Sequence, residues 1–194
     1  LPAQMALVDD SLQLRFNPEN ARWPVIVDPL SYTETKLIGV GSDAEYSAKF
    51  GFSVALDGDT ALIGAYSYDG TCDGTETGCG AVYVFTGSGN TWSLQQKLAA
   101  SDPNMADYFG YSVALDGDTI LIGAYLDDDA CNGTGVNCGA AYVFTRTVNV
   151  WSQQQKLSTG DPDTADYFGY SVALAGDTAL IGAYLDDGAC NGTN

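Results

Sequence analysis

The chain has no histidine, and only seven lysines and arginines stand against 25 aspartates and glutamates. The formal net charge is −18. Without histidine, the commonest general base and a common metal ligand are both missing. Without a basic stripe, nothing can drive the counterion release on which nucleic-acid binding depends. The same acidity repels an anionic membrane surface. No apolar run approaches the roughly 18 residues that a membrane-spanning helix needs, so no membrane insertion is expected. No G-x-G-x-x-G, P-loop or nucleophile motif occurs. The opening LPAQMALVDD has no initiator methionine and no charged segment ahead of an apolar core. It reads as a cut or processed end, not a signal peptide.

What is present is repetition. FGFSVALDGDTALIGAY fills Phe50–Tyr66, FGYSVALDGDTILIGAY fills Phe109–Tyr125 and FGYSVALAGDTALIGAY fills Phe168–Tyr184. The starts at 50, 109 and 168 lie 59 residues apart, and Trp92 and Trp151 keep the same step. A period of this size marks a propeller, solenoid or array, in which one unit cannot bury its own faces alone.

The five cysteines follow the same period. Cys72 and Cys79 are seven apart, as are Cys131 and Cys138, and Cys190 takes the first position of a third pair. Zinc sites use converging C-x2-C pairs or histidines. A C-x6-C spacing in separate repeats, with no histidine, argues instead for Cys72–Cys79 and Cys131–Cys138 disulfides, with Cys190 unpaired by truncation. Disulfides in successive units place the chain in an oxidising compartment, outside the cell or in a periplasm.

One unit reads as four strands. Phe109–Leu115 is the first, and Asp116-Gly117 after it is a favoured central pair for a two-residue type I′ turn. Thr119–Tyr125 is the second, with Ile120 and Ile122 on one face and Leu121 on the other, which suits a strand covered on both sides. An acidic loop containing the cysteines follows. Gly139–Thr145 is the third strand. Trp151–Leu157 (WSQQQKL) is the fourth, with glutamines suited to an outer edge. Four antiparallel strands in about 60 residues make one propeller blade. Gly110, Gly123, Ala124, Gly139 and Ala140 then read as packing residues where backbones crowd.

Phe50-Gly51, Gly64-Ala65 and Gly80–Phe85 resemble the FG-GAP repeat of integrin α-subunit propellers, and are more similar still to bacterial secreted FG-GAP repeat proteins. The copies at Phe109-Gly110, Gly123-Ala124, Gly139–Phe144, Phe168-Gly169 and Gly182-Ala183 carry the same pattern. The resemblance implies an all-β, seven-bladed propeller in a secreted or cell-surface protein concerned with adhesion or ligand binding. Two departures stand out. The Pro of GAP is tyrosine here, at Tyr66, Tyr125 and Tyr184. The calcium loop that several family repeats carry is reduced to LDGDT or LAGDT, too short for a cage of oxygens, so Asp57, Asp59, Asp116, Asp118 and Asp177 read as turn residues.

Residues 1–30 do not match the repeat and are expected to be a β segment and linker, the tail of an upstream region. SYTETKL at 31–37 resembles a divergent fourth strand, of the kind that closes a propeller ring. Residues 31–194 then hold about two and a half blades of a propeller, truncated at the C-terminal end.

Loops after the second and fourth strands emerge at one end of a blade, and binding faces usually carry the longer loops. The expected partner-binding residues are Tyr68, Asp69, Asp73 and Glu76, then Asp161, Asp163 and Asp166, then Asp186 and Asp187. Asp127, Asp128 and Asp129 should face Asp102 and Asp107 and are candidate calcium ligands. Asn132-Gly133-Thr134 and Asn191-Gly192-Thr193 satisfy the N-glycosylation sequon.

Three functions compete. The first is an extracellular interaction or adhesion module taking a protein or glycan ligand at the cell surface. The second is a structural spacer with no specific ligand. The third is a scaffold attached to an enzyme encoded elsewhere. Paired carboxylates hydrolyse glycosides, but here the acids recur in phase with the repeats, and no catalytic role is expected.

Overall fold

The second strand of the second repeat is apolar on both faces because it lies inside a four-stranded sheet with a neighbouring blade on either side. The computed structural model describes residues 4–8, 11–15, 25–27, 34–38, 48–72, 77–88, 91–129, 131, 136–160 and 164–186. Among them there is no α-helix. Blade one comprises β5 (Val54–Asp57), β6 (Thr60–Ala65), β7 (Ala81–Ser88) and β8 (Thr91–Leu98), hydrogen-bonded in that order. Blade two repeats the antiparallel order with β9 (Ser112–Asp116), β10 (Thr119–Ala124), β11 (Ala140–Thr147) and β12 (Val150–Leu157). Blade three contributes β13 (Phe168–Ala175) and β14 (Thr178–Ala183). These are the blades of a β-propeller.

The segment ahead of the blades forms two hairpins. β1 (Gln4–Val8) pairs with β2 (Ser11–Arg15), and β3 (Val25–Val27) pairs with β4 (Glu34–Lys36). The run at 31–37 does contain a strand, β4, which pairs with β3 among the described residues. Leu37, just after it, is buried against Ala61, Ile63, Tyr83 and Phe85 of blade one.

Ile120 and Ile122 of β10 pack into a core shared with Leu62, Val82, Val84 and Leu98 of blade one. Leu121, on the opposite side of β10, packs with Ala114 and Ala141 against Phe168, Val172, Leu174 and Ile181 of blade three. Each seam between blades is therefore a hydrophobic core in its own right.

Blades approach most closely at their inner strands, where β9 lies against both β5 and β13. The small residues permit this. A Cβ on Gly123 would collide with the Gly169 carbonyl oxygen and Ser112 Oγ, and one on Gly64 with the Gly110 carbonyl oxygen. Ser53 and Ser112 donate hydroxyl hydrogen bonds across the same gaps, to the Gly110 and Gly169 carbonyls at 2.7 and 2.8 Å. The Phe-Gly of one repeat thus docks on the Gly-Ala of the repeat before it.

At the outer rim the blades splay, and glutamines bridge them. Opposite Val143 and Phe144 the pairing skips Gln154, and opposite Val84 and Phe85 it skips Gln95. Such a β-bulge re-aims the side chains beside it. Gln96 uses both ends of its amide on Trp151, donating to the carbonyl at 2.8 Å and accepting from the N–H at 2.9 Å. Gln95 accepts from the Trp151 indole at 3.2 Å. The run is the outer edge of its own sheet, as read, and its glutamines also stitch neighbouring blades.

The tight turns also differ from the expectation. Asp116 pairs directly with Thr119, so the two turn residues are Gly117 and Asp118, not Asp116 and Gly117. Gly117 has φ +55°, while Asp118 is not left-handed. That is the glycine-first requirement of a type II′ turn, where type I′ needs both positive. The same register at Gly58 and Gly176 explains why Ala175 can stand where its copies have aspartate. The displaced aspartates bridge blades instead: Asp57 accepts from the Gly117 N–H at 2.7 Å, and Asp116 from that of Gly176.

Candidate functional site

Both expected disulfides are present, with Cα separations of 5.8 Å for Cys72–Cys79 and 5.5 Å for Cys131–Cys138. Cys190 lies outside the described residues. Each disulfide closes the loop after a second strand, and its second cysteine is buried in a blade seam. The Cys79 carbonyl accepts from the Phe109 N–H at 3.2 Å, and the Cys138 carbonyl from that of Phe168 at 2.9 Å. The bridge therefore fixes the backbone on which the next blade docks. Replacing Cys131 and Cys138 by serine should lower stability by about 2–3 kcal/mol, the loop-closure value for so short a ring. Denaturant unfolding would read this, and a midpoint equal to wild type would show the bridge to be dispensable.

The long-loop end of blade two holds an ionic cluster built on one buried carboxylate, Asp127. Lys156 Nζ, from the end of β12, lies 2.8 Å from Asp102 Oδ2, 2.8 Å from Asp127 Oδ2 and 3.9 Å from Asp129 Oδ2. Tyr142 donates its hydroxyl to Asp127 at 2.6 Å and approaches Asp102 at 3.1 Å. The Asn104 side chain donates to Asp129 at 2.7 Å. Burial pulls the Lys156 ammonium down, but the hydrogen bonds to Asp102 and Asp127 outweigh it and hold it above the usual lysine value. Burial first, then the Asp127 carboxylate, pushes the Tyr142 phenol far up.

The two acidic loops do converge, as expected, and the cation between them is an ammonium of the chain. Among the described residues, no three His, Cys, Asp or Glu side chains are grouped so as to hold a metal ion. In blade one the same place is filled differently. Tyr68 stands where Asp127 does, and Lys97 donates to its hydroxyl at 2.9 Å and lies 4.5 Å from its ring centre.

Asp107 is buried, between Ala106 at φ +64° and Tyr108 at φ +59°. Its carboxylate accepts from the Asn104 backbone N–H at 2.8 Å. Burial raises its pKa to about 7 despite that bond, with Asp127 and Asp129 adding repulsion and Lys156 opposing it. The unfolded chain loses this proton near 3.8, the folded chain near 7. Folding must therefore bear a growing cost as pH rises between these values, and stability from this group falls until about pH 7, then levels. Asp107→Asn keeps the acceptor and removes the charge. Its melting midpoint at pH 8 should exceed wild type by several degrees and converge with it near pH 4; equal midpoints at both would assign the effect elsewhere.

Four of the expected partner-binding or calcium residues thus face inward. Tyr68, Asp107, Asp127 and Asp166 are buried and hold the scaffold. Asp69, Asp128, Asp129 and Asp186 are exposed, and Asp102 is half-buried. Asp69 and Asp128 also accept loop N–H groups, from Gly78 at 2.7 Å and Asn137 at 2.5 Å. Asp73, Glu76, Asp161, Asp163, Asp187 and both N-x-T sequons lie outside the described residues.

One feature of this face was not assigned from sequence. Phe52, Tyr66, Tyr111, Tyr125, Tyr170 and Tyr184 form a continuous belt across the three blades. Their neighbouring ring centres are 4.4–5.4 Å apart. Tyr108 and Tyr167 flank it, at 5.0 Å from Tyr66 and 5.6 Å from Tyr125. Burial first, then the hydrogen bond with Tyr170, raises the pKa of Tyr111, and burial and then the surrounding phenols raise that of Tyr125. The signal was in the sequence: the tyrosines replacing the expected proline recur with the 59-residue period.

A profile of the FG-GAP repeat matches residues 33–85, 92–144 and 151–194, most of the chain. The chain belongs to the FG-GAP repeat family. No curated protein sequence matches it. In this FG-GAP chain the namesake residues are seam residues: Phe-Gly and Gly-Ala meet across blades and leave the belt and the long loops to face outward. Repeats of this family build a propeller-type interaction module.

Proposed function

We propose that the chain is a non-catalytic, extracellular adhesion module that takes a protein or glycan ligand on its long-loop face. The observation that carries this reading is the tyrosine belt. Tyrosines supply rigid, amphipathic contact area at low entropic cost, and interfaces are enriched in them. The exposed carboxylates of Asp69, Asp128, Asp129 and Asp186 add hydrogen-bond acceptors on the long loops. Among the described residues, the opposite face offers two-residue turns. Two disulfides suit an oxidising compartment.

The test is a printed array of glycans and extracellular-matrix proteins, probed with wild type and with a Tyr111→Ala/Tyr125→Ala variant. Binding to a defined ligand that the variant loses, at a similar melting midpoint, is expected. Binding that survives the double substitution would remove the belt from the account, and an array without signal would favour the spacer reading. Calcium is a secondary expectation. Lys156 already supplies positive charge between Asp102 and Asp127, so midpoints in calcium and in chelator should coincide. A rise of several degrees with calcium would instead give Asp102, Asp128 and Asp129 a ligand role.

A further inference from the structure

Each disulfide loop holds the stretch that leads into the next repeat by three backbone hydrogen bonds. In blade one the carbonyls of Thr77, Gly78 and Cys79 accept from the N–H groups of Ala106, Tyr108 and Phe109, at 2.9, 3.0 and 3.2 Å. In blade two those of Val136, Asn137 and Cys138 accept from Ala165, Tyr167 and Phe168, at 2.9, 3.2 and 2.9 Å. Tyr108 and Tyr167 are the tyrosines that flank the belt. At Tyr108 the contact extends to the side chain. A Cβ on Gly78 would stand 2.7 Å from its Cε1, so the ring lies against bare backbone. The bridge in one repeat thus positions a belt tyrosine ahead of the next.

The held stretch is strained. Ala106 has φ +64° and Tyr108 has φ +59°. Residues with a Cβ keep a left-handed backbone only where the surroundings over-determine it. Here the carbonyls of the disulfide loop do so. Besides its bridge, that loop is drawn together by Thr71 Oγ1 on the Gly80 carbonyl and by the Gly78 N–H on Asp69 Oδ1. Opening the bridge returns loop-closure entropy to the loop, and the strain at Ala106 and Tyr108 then works against the bonds that remain. Phe109 has a second anchor. It is 0% exposed and also bridges to Gly80, so the seam itself stays closed.

The two bridges differ in access. Cys72 is half-buried, whereas Cys79, Cys131 and Cys138 are buried. Thiol exchange needs a thiolate to reach one of the two sulfurs, and Cys72 is the most open of the four.

We propose that Cys72–Cys79 is a redox-sensitive latch on the tyrosine belt, and that its reduction by a dithiol releases Tyr108. One thiolate of the dithiol attacks Cys72 Sγ, the Cys72–Cys79 bond breaks, and Cys79 leaves as a thiolate that takes up a proton. The second thiolate then displaces Cys72 from the mixed disulfide. The dithiol is oxidised to a disulfide, two electrons pass to the bridge, and the dithiol's two protons end on Cys72 and Cys79. The inference rests on the reading of the belt as the ligand surface, from which one tyrosine is then withdrawn.

Amide hydrogen exchange of the full 194-residue chain, with and without dithiothreitol, tests this and needs no ligand. In reduced wild type the Ala106 and Tyr108 amides should exchange about tenfold faster, while those of Phe109 and Tyr167 stay protected. Cys72→Ser/Cys79→Ser should do the same without reductant. Cys131→Ser/Cys138→Ser should instead release Ala165 and Tyr167 and leave Tyr108 in place. Thiol alkylation and mass spectrometry report which bridge has opened. A Cys72–Cys79 bridge still closed in the folded protein under dithiothreitol would overturn the proposal. So would an opened bridge with Tyr108 unmoved, or with Phe109 exposed as fast as Tyr108. If circular dichroism shows the serine variant to be unfolded, the reduced wild type decides alone. Movement of Tyr108 in a chain that binds nothing on the array would keep the latch and remove the ligand reading. An unmoved Tyr108 in a chain whose array signal depends on the belt would do the reverse.

Discussion

Gly139→Ala is expected to lower the unfolding free energy by about 3–5 kcal/mol, from a left-handed backbone that alanine resists and a backbone collision that cannot relax cheaply. Gly139 has φ +82°, and a Cβ there would run into the backbone of Phe168, its oxygen first. This is the point where blade three docks, through the bridge between Gly139 and Phe168. The Cys138 carbonyl beside it accepts the Phe168 N–H. Loss should therefore fall first on blade three, seen as early exchange of β13 and β14 amides. Gly117→Ala provides the control. Its φ is +55°, but nothing lies within 4 Å of the added carbon. It isolates the conformational cost, which should be about 1–2 kcal/mol. Equal effects at the two positions would show that crowding at the seam contributes nothing.

Lys156→Met should cost a further and separate 3–5 kcal/mol, the usual penalty for leaving a buried charge without its partner. Asp127 is fully buried, and the substitution removes its ion pair while leaving the bonds from the Tyr142 hydroxyl and the Asp129 N–H at 3.0 Å in place. Adding Asp127→Asn should recover much of the loss, because the charge and its missing partner are then removed together. Lys97→Met in blade one is the comparison. Lys97 is exposed and serves the Tyr68 hydroxyl, a neutral group, so less than about 1 kcal/mol is expected. A double variant no better than Lys156→Met alone would mean that the lysine acts by packing over Tyr142 and not by its charge.

The sequence alone settled whatever depends on neighbours close along the chain. The 59-residue step and the apolar faces of TILIGA established an all-β repeat, and the C-x6-C spacing named both disulfide partners. These follow from local geometry, since seven residues close a small loop and alternation along a strand sets its two faces. Even here the turn slipped by one residue, because Asp-Gly-Asp offers two adjacent pairs and only cross-strand register chooses between them.

Tertiary structure decided which acids face water. Asp127 and Asp128 are adjacent and identical in type, yet one is buried on Lys156 and the other is exposed. The choice depends on a lysine 29 residues later and on Asp102 from the preceding interblade loop, brought together only when blades stack. The glutamines of β8, the Phe-Gly on Gly-Ala contact and the tyrosine belt share that origin. Each joins residues about one period apart, and no local pattern records what the next blade will place against them.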